Sequence, residues 1–482
     1  MSDRRGEAKP GRAGLLGDPV NRLGFGGLAL LLVLGAIIAP LPTLVLVIAG
    51  LALLLLLHWW PTSGLIVLLA ATHFTRFDAE IGPVNVRAEQ AALVLVAGVL
   101  FVQVLAQRRP IWLDLPGLCA LAWFGVNALA TVINAPDPGD SVRHIIRLGM
   151  MAVTYVVAVN LLRTRKQWWT LFWVFLGLAL AQALFGLLAR VIYSFGVNIG
   201  VQTSNVLPIP VHYGTLEEGN MFGSQSAAWL LAFLCLLMVQ PRPFIWKRAA
   251  LLAAIGVTGL ATALSFSRGA WLALGIGLAV WFVTYRASRR IQIERGGLLL
   301  LGLPLVLIVS LILSQVLPTS MPLVARLRSL FAAFTSALND QTFGNRLADI
   351  VQAVSDWQQH PLIGWGPGTF FQLYGQRWGS DAWIANQLAR TLQETGLLGL
   401  LAFGGFVGGV LWIGWRAIGR LDDRLGRAAL LGLWLGFITL MVAYQSTDGT
   451  WLAYMWVHAA LLVSGARLLR ELIDPGDALC RR

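Results

Sequence analysis

Charge is scarce in this chain of 482 residues: Asp, Glu, Lys and Arg make up 12% of it, against about 25% in a soluble globular protein. That scarcity excludes an ordinary water-exposed enzyme. The 57% hydrophobic content excludes disorder, which requires low hydrophobicity. Cysteine is scarce as well. Cys119, Cys235 and Cys480 are odd in number and far apart, so the sequence holds neither a disulfide framework nor a cysteine metal motif. A Walker A loop, a dinucleotide fingerprint, an HExxH pair and a CxxC pair are all missing. ATP-driven work, nicotinamide chemistry and zinc hydrolysis therefore lose their usual signals, and neither metal nor cofactor is expected. No Asp or Glu lies well inside an apolar run, where ion-coupled carriers commonly need one.

What is abundant is apolar sequence in long runs. They fall at about 24–39, 43–60, 63–74, 90–106, 116–134, 145–162, 168–194, 219–239, 249–266, 270–285, 298–317, 396–415, 428–446 and 449–466. A bilayer-crossing helix needs about 20 apolar residues. The expected fold is an all-α polytopic membrane protein with about 14 transmembrane helices, 12–14 allowing for short runs. A cytoplasmic tail (1–23), one membrane domain (24–466) and a second cytoplasmic tail (467–482) make up the chain. The first run has no convincing cleavage site after it and is expected to stay as a span.

Basic residues number 36 and acidic residues 23, a net charge of +13. They lie between the apolar runs, which is the positive-inside pattern of a membrane protein and not a nucleic-acid surface. Clusters at Arg4–Arg22, Arg108/Arg109, Arg163/Arg165/Lys166, Arg242/Lys247/Arg248, Arg286–Arg295, Arg416–Arg427 and Arg467–Arg482 are separated by even numbers of runs. This parity requires the short run 63–74, which could otherwise be re-entrant, to cross. Both termini then face the cytoplasm.

Two sizeable loops remain on the other side, about 195–218 and 318–395. The longer one contains two amphipathic helix candidates. In 345–358, Leu347, Ile350, Val351, Val354 and Trp357 recur at helical spacing, Arg346, Asp349 and Asp356 form the polar face, and Pro361 ends the pattern. In 381–395, Asp381 or Ser380 caps the start, Gln387, Arg390 and Glu394 share a face, and Gly396 marks a break. Trp365, Trp378 and Trp383 could stack on sugar rings.

Positive charge at this outer face runs against the bias. Arg268, in Ser267-Arg268-Gly269, sits between two runs, and Arg346 sits in the first turn of its predicted helix. Arginine holds phosphate oxygens bidentately, and a helix N-terminus adds backbone N–H groups. Gly364, Gly366 and Gly368 imply a tight backbone path against a ligand or a helix. Glu217, Glu218 and Asn220 precede a span, where they could bind sugar hydroxyls, supply a base, or follow the acidic preference of helix starts.

Taken in order, these pieces resemble the bacterial O-antigen ligase / Wzy-type polymerase family. Ser267-Arg268-Gly269 resembles the family's Ser-Arg-Gly, and Arg346 its Arg-led loop helix. His360-Pro361-Leu362-Ile363-Gly364-Trp365-Gly366-Pro367-Gly368 is similar to its His-Pro-Leu-x-Gly-x-Gly turn. Asn386, nine further residues and Gly396-Leu397-Leu398-Gly399 resemble its closing element, including Glu394-Thr395-Gly396. The likeness covers about 200–415. It implies a GT-C-like glycosyltransferase, inverting in its chemistry, in a bacterial inner membrane. Such an enzyme takes an undecaprenyl-pyrophosphate-linked glycan donor and passes it to a glycan, lipid A-core or other hydroxyl acceptor, without metal or nucleotide. By the same resemblance Arg268 and Arg346 hold the pyrophosphate. The family's His before Asn386 is Ala385 here, and alanine takes no proton. Asp381, Glu218, His212 and His360 are the candidate bases in its place. A transporter, either a lipid-linked glycan flippase or a small-anion carrier, and an inactive family member are the alternatives left open.

Overall fold

The computed structural model describes residues 61–75, 78–81, 84–107, 110–203, 210–239, 245–287, 324–325, 328, 341–378 and 383–470. The expected spans 24–39, 43–60 and 298–317, the tail 1–23, the part of the second tail beyond Arg470, and Asp381 lie outside them. In chain order the elements are α1 (Pro61–Ala71), the hairpin β1 (Asp78–Ile81) and β2 (Val84–Arg87), α2 (Ala88–Gln107), α3 (Leu115–Asn134), α4 (Pro138–Leu161) and α5 (Arg165–Tyr193). A second hairpin follows, β3 (Val201–Thr203) and β4 (Pro210–His212), then α6 (Gly219–Val239), α7 (Ile245–Leu264), α8 (Arg268–Ala287), α9 (Gln341–Trp357), α10 (Thr369–Trp378), α11 (Gln387–Ile418), α12 (Arg424–Ala443) and α13 (Ala453–Leu468).

Every expected run within the described residues is a helix, and eight of these helices are long and apolar enough to cross a bilayer. The chain is an α-helical, multi-pass membrane protein. The two antiparallel hairpins were not anticipated, because strands of three or four residues are too short to show a period of two. The described part of α1 covers 11 residues, about 16 Å at 1.5 Å per residue.

Helix starts follow ordinary capping chemistry. Asp114, Asp137, Thr164, Asn386 and Asp423 each accept a hydrogen bond from a first-turn backbone N–H, relieving donors that a helix leaves unpaired. Thr164 and Gln167 complete a capping box. Pro138 follows the Asp137 cap directly, so α4 begins seven residues before the apolar run that announced it.

At the centre, α6 packs on α12, α7 and α8, and α13 packs on α4, α11 and α12. The α6–α12 contact is made by small residues. A Cβ added at Gly432 would stand 2.7 Å from the Cα of Ala232, and one at Gly436 would stand 3.0 Å from the carbonyl oxygen of Ala228. In lipid, close backbone approach of this kind gains the dispersion contact that holds helices together. Trp123, Phe406, Trp456, Phe175 and Trp229 fill the interior around it.

Side-chain contacts join loops that the charge pattern assigns to one side. Arg165, before α5, pairs with Asp423, before α12, at 2.7 Å. Arg467, at the end of α13, donates to the carbonyl of Leu162 at 2.6 Å and lies 4.5 Å over Trp112. The other ends of these helices carry the elements described next.

Candidate functional site

The reversal Ser265-Phe266-Ser267 joins α7 to α8. Ser265 Oγ donates to the Thr262 carbonyl at 2.7 Å, and Ser267 Oγ accepts from Ala270 N at 3.2 Å, acting as the cap of α8. Phe266 holds a φ of 52°, unlike any other described non-glycine residue, and the Arg190 guanidinium lies 5.4 Å over its ring. A bulky residue in the left-handed region stores strain that the surrounding structure must impose. Arg268 is therefore the first residue of α8, half-buried at the positive end of a helix dipole. Gly269 presses on Ser446, whose hydroxyl occupies the space a Cβ would take.

Ser446 belongs to the loop 444–452 between α12 and α13, and that loop ties several elements together. Thr447 donates to Glu218. Asn386 Nδ2 donates to the Gln445 carbonyl at 3.1 Å, and Gln387 N to the Tyr444 carbonyl at 2.9 Å. Asp448 is buried and pairs with Arg390. Its carboxylate also accepts from Thr450 N at 3.2 Å and Thr450 Oγ1 at 3.1 Å. Burial pushes the Asp448 carboxyl above its ordinary range, against the pull of Arg390 and Thr450. Arg390 spans two acids, because its Nε donates to Glu394 at 2.9 Å, the i,i+4 pair the sequence announced. Its guanidinium also lies 4.2 Å from the centre of the Trp383 ring.

The three glycines of 360–368 serve a helix break. Gly396 leaves helical geometry inside α11 (φ 60°, ψ −160°). The groups freed there are taken by the turn. Trp365 N donates to the Gln393 carbonyl at 3.0 Å and Gly366 N to that of Glu394 at 2.7 Å, while Leu397 N and Leu398 N donate to the carbonyls of Pro361 and Leu362 at 2.9 and 3.1 Å. Gly364, Gly366 and Gly368 all have positive φ, from 76° to 97°. A Cβ on Gly364 would stand 2.5 Å from the Glu394 carbonyl carbon, and one on Gly396 would meet Leu362 at the same distance. Of the two readings of these glycines, backbone against helix is the one observed. Asn134 Nδ2, from α3, holds the Gly364 carbonyl at 2.6 Å.

Beside this junction lies a cavity of ≈ 240 Å³ lined by Asp140, His144, Gly368, Phe370, Phe371, Trp383, Ile384, Arg390 and Glu394. Glu394 uses its Oε1 both for Arg390 and for Gly368 N, the latter at 2.9 Å. Ala385 and Asn386 directly follow the wall residue Ile384. Arg87 pairs with Glu217 at 2.5 Å, and the guanidinium groups of Arg87 and Arg147 lie 4.7 and 5.5 Å from the centre of the Trp451 ring. Among the described residues no cluster of three His, Cys, Asp or Glu side chains has a metal-holding arrangement.

The expected site residues are dispersed in part. Glu394, Gly368, Asn386, Gly364, Gly366 and Gly396 lie at the cavity or at the junction beside it. Glu218 and Gly269 meet the 444–452 loop, and Asn220 lies in the first turn of α6. His212 is fully buried, edge-on to Phe222 at 4.8 Å. Burial lowers its imidazole to about 4, and it does not line the cavity. His360 packs edge-on against Trp365 at 4.4 Å. Arg346 is half-buried on α9, which begins at Gln341 and not at 345. It therefore stands in the second turn, away from the unpaired N–H groups of the helix start.

The polar face assigned to that helix also needs correction. Asp356 is 2% exposed, because the hydroxyl of Tyr374 donates to it at 2.6 Å and Gln352 at 2.9 Å. Burial and that carboxylate push the Tyr374 hydroxyl up to about 12. Conversely Val351, expected in the apolar face, is exposed. The described helix that follows begins after the Asn386 cap, and α10 was not foreseen at all.

His144 and Asp448 escaped the sequence reading because each lies just outside an apolar run, and Arg147 because it lies just inside the start of one. The signal for His144 and Arg147 was present. Asp137-Pro138 is a helix start, and it carries Arg143, His144 and Arg147 onto α4 at helical spacing.

The fold and site define a multi-pass helical membrane protein with a polar, cation-bearing cavity among the loops at one end. Residues 251–413, about a third of the chain, are similar to the family model described as O-antigen ligase. Compared with curated proteins, the chain matches none. The matched stretch takes in α8, α9, the glycine turn and the α11 break, while His144 and the 444–452 loop lie outside it.

Proposed function

We propose that this protein is an inverting membrane glycosyltransferase. It transfers or polymerises glycan from an undecaprenyl-pyrophosphate-linked donor at the outer face of a bacterial inner membrane, onto a glycan, lipid A-core or other hydroxyl. The observation that carries this reading is the O-antigen ligase match over 251–413, which includes Ser267–Gly269, Arg346 and the turn–break junction beside the cavity. Arg268 and Arg346 hold the donor pyrophosphate. As the anomeric bond breaks, negative charge grows on that group, and fixed cations stabilise it most in the transition state. The start of α8 adds its dipole to Arg268. The cavity, with Trp383 on one wall, receives the sugar to be extended, since an aromatic face suits an apolar ring surface and Asp140 and Glu394 suit hydroxyls.

Purified protein, supplied with a lipid-pyrophosphate glycan and an acceptor in vesicles, should form a glycosidic bond. Arg268→Ala and Arg346→Ala should each lower the rate by about 100-fold or more while the protein still accumulates. Wild-type rates in both variants would refute the pyrophosphate assignment. Glycan crossing the bilayer with no bond formed would assign the chain to transport.

A further inference from the structure

The cavity beside Ala385 has acids and cations on its walls, and nearly all are engaged. Glu394 accepts from Arg390 and from Gly368 N through one oxygen. Arg390 is held between Glu394 and Asp448 and covered by Trp383. Asp140, in the first turn of α4, faces Arg143 at 4.0 Å and accepts from Gln372 at 3.5 Å. His144 is the exception. It lines the cavity half-buried, and neither ring nitrogen has a hydrogen-bond partner among the described residues. Its position is set by packing: the ring lies against Gly368, where an added Cβ would come within 2.7 Å of Nε2. It stands on a helix anchored by the Asp137 cap, and Gln372 of α10 reaches that cap and Ser141. The imidazole is thus rigidly placed, open to the cavity and chemically uncommitted.

We propose that His144 is the general base of the transfer, taking the place that Ala385 leaves empty across the same cavity; this rests on the transferase reading above. The acceptor hydroxyl lies between the Trp383 wall and the imidazole. Its oxygen forms a bond to the anomeric carbon of the donor sugar as the bond from that carbon to the pyrophosphate oxygen breaks. The electron pair leaves with the lipid pyrophosphate, and the hydroxyl proton passes to the free nitrogen of His144. Geometry favours this residue over His212, which is sealed in the interior, and over His360, which does not line the cavity.

The test uses the full-length protein in vesicles with the lipid-pyrophosphate glycan and a hydroxyl acceptor. His144→Ala and His144→Gln should each transfer at least about 100-fold more slowly than wild type, with unchanged accumulation and thermal unfolding temperature. Added imidazole should restore a large part of the rate to His144→Ala, whose side chain leaves room for it, and much less to His144→Gln. Near-wild-type transfer by either variant overturns the proposal. So does a slow His144→Ala enzyme that imidazole fails to rescue, since that is the behaviour of a structural histidine. In both cases wild-type transfer leaves the transferase reading standing, whereas a wild-type protein that forms no glycosidic bond overturns both.

Discussion

Arg390 shows how a single residue is decided by its partners. Two buried carboxylates, Glu394 and Asp448, depend on one guanidinium. Removing one member of a buried ion pair costs about 3–5 kcal/mol, because the remaining charge stays out of water. Arg390→Met should lower unfolding stability in detergent by about that amount, and adding Glu394→Gln and Asp448→Asn should recover much of the loss. Buried His212 gives a second residue-scale effect. Burial lowers it to about 4 from 6.5, so it is neutral in the folded protein and favours folding fully only above pH 6.5. Below it the unfolded chain binds the proton first. Stability should fall by about 1.4 kcal/mol per pH unit as pH drops from 6.5 towards 4. Unfolding midpoints measured over that range should show a shallower slope for His212→Leu.

The decisive element is the broken α11 and the turn that fills its gap. Peptide groups freed by a helix break near a membrane must be paired internally, and 361–366 do this for 393–398. Gly364→Ala and Gly396→Ala each put a methyl against backbone, in a region of φ that alanine disfavours. Each should cost several kcal/mol, from about 1–3 for the strained backbone and a similar amount for overpacking, read as lost accumulation or a lower unfolding temperature. Because both disturb one contact, the double variant should cost less than the two losses added together. The sequence marked both halves of this junction, since three alternating glycines and an isolated Gly396 stand out from their surroundings. It did not show that one half docks on the other, because pairing across some thirty residues leaves no local pattern. The Arg390–Glu394 pair was legible for the opposite reason: four residues on a helix are neighbours whatever the tertiary structure does.

For the whole molecule, polarity is the testable property. Arg165–Asp423 and the Arg467 contacts gather basic loops at one end; the cavity lies among the loops that join the opposite helix ends. With the native cysteines replaced, Phe371→Cys should react in intact cells with a thiol reagent that cannot cross the membrane. Arg420→Cys should react only after permeabilisation. The reverse pattern would invert the orientation and remove the donor from the site.

The amino-acid sequence alone determined the class, the long apolar helices and the distribution of basic residues among the loops. These follow from solvent preference: twenty apolar residues in a row have one low-energy place, and loop charge is read locally. Only the tertiary structure decided which polar groups share a cavity. His144 is more than 200 residues from both Trp383 and Asp448 in the chain, and they come together through helix packing, set by small contacts such as Gly432 on Ala232. The scarcity of charge is what makes that assembly informative. In a chain with 12% charged residues, two acids sharing one arginine beside an uncommitted imidazole carry a desolvation cost that ordinary packing does not require.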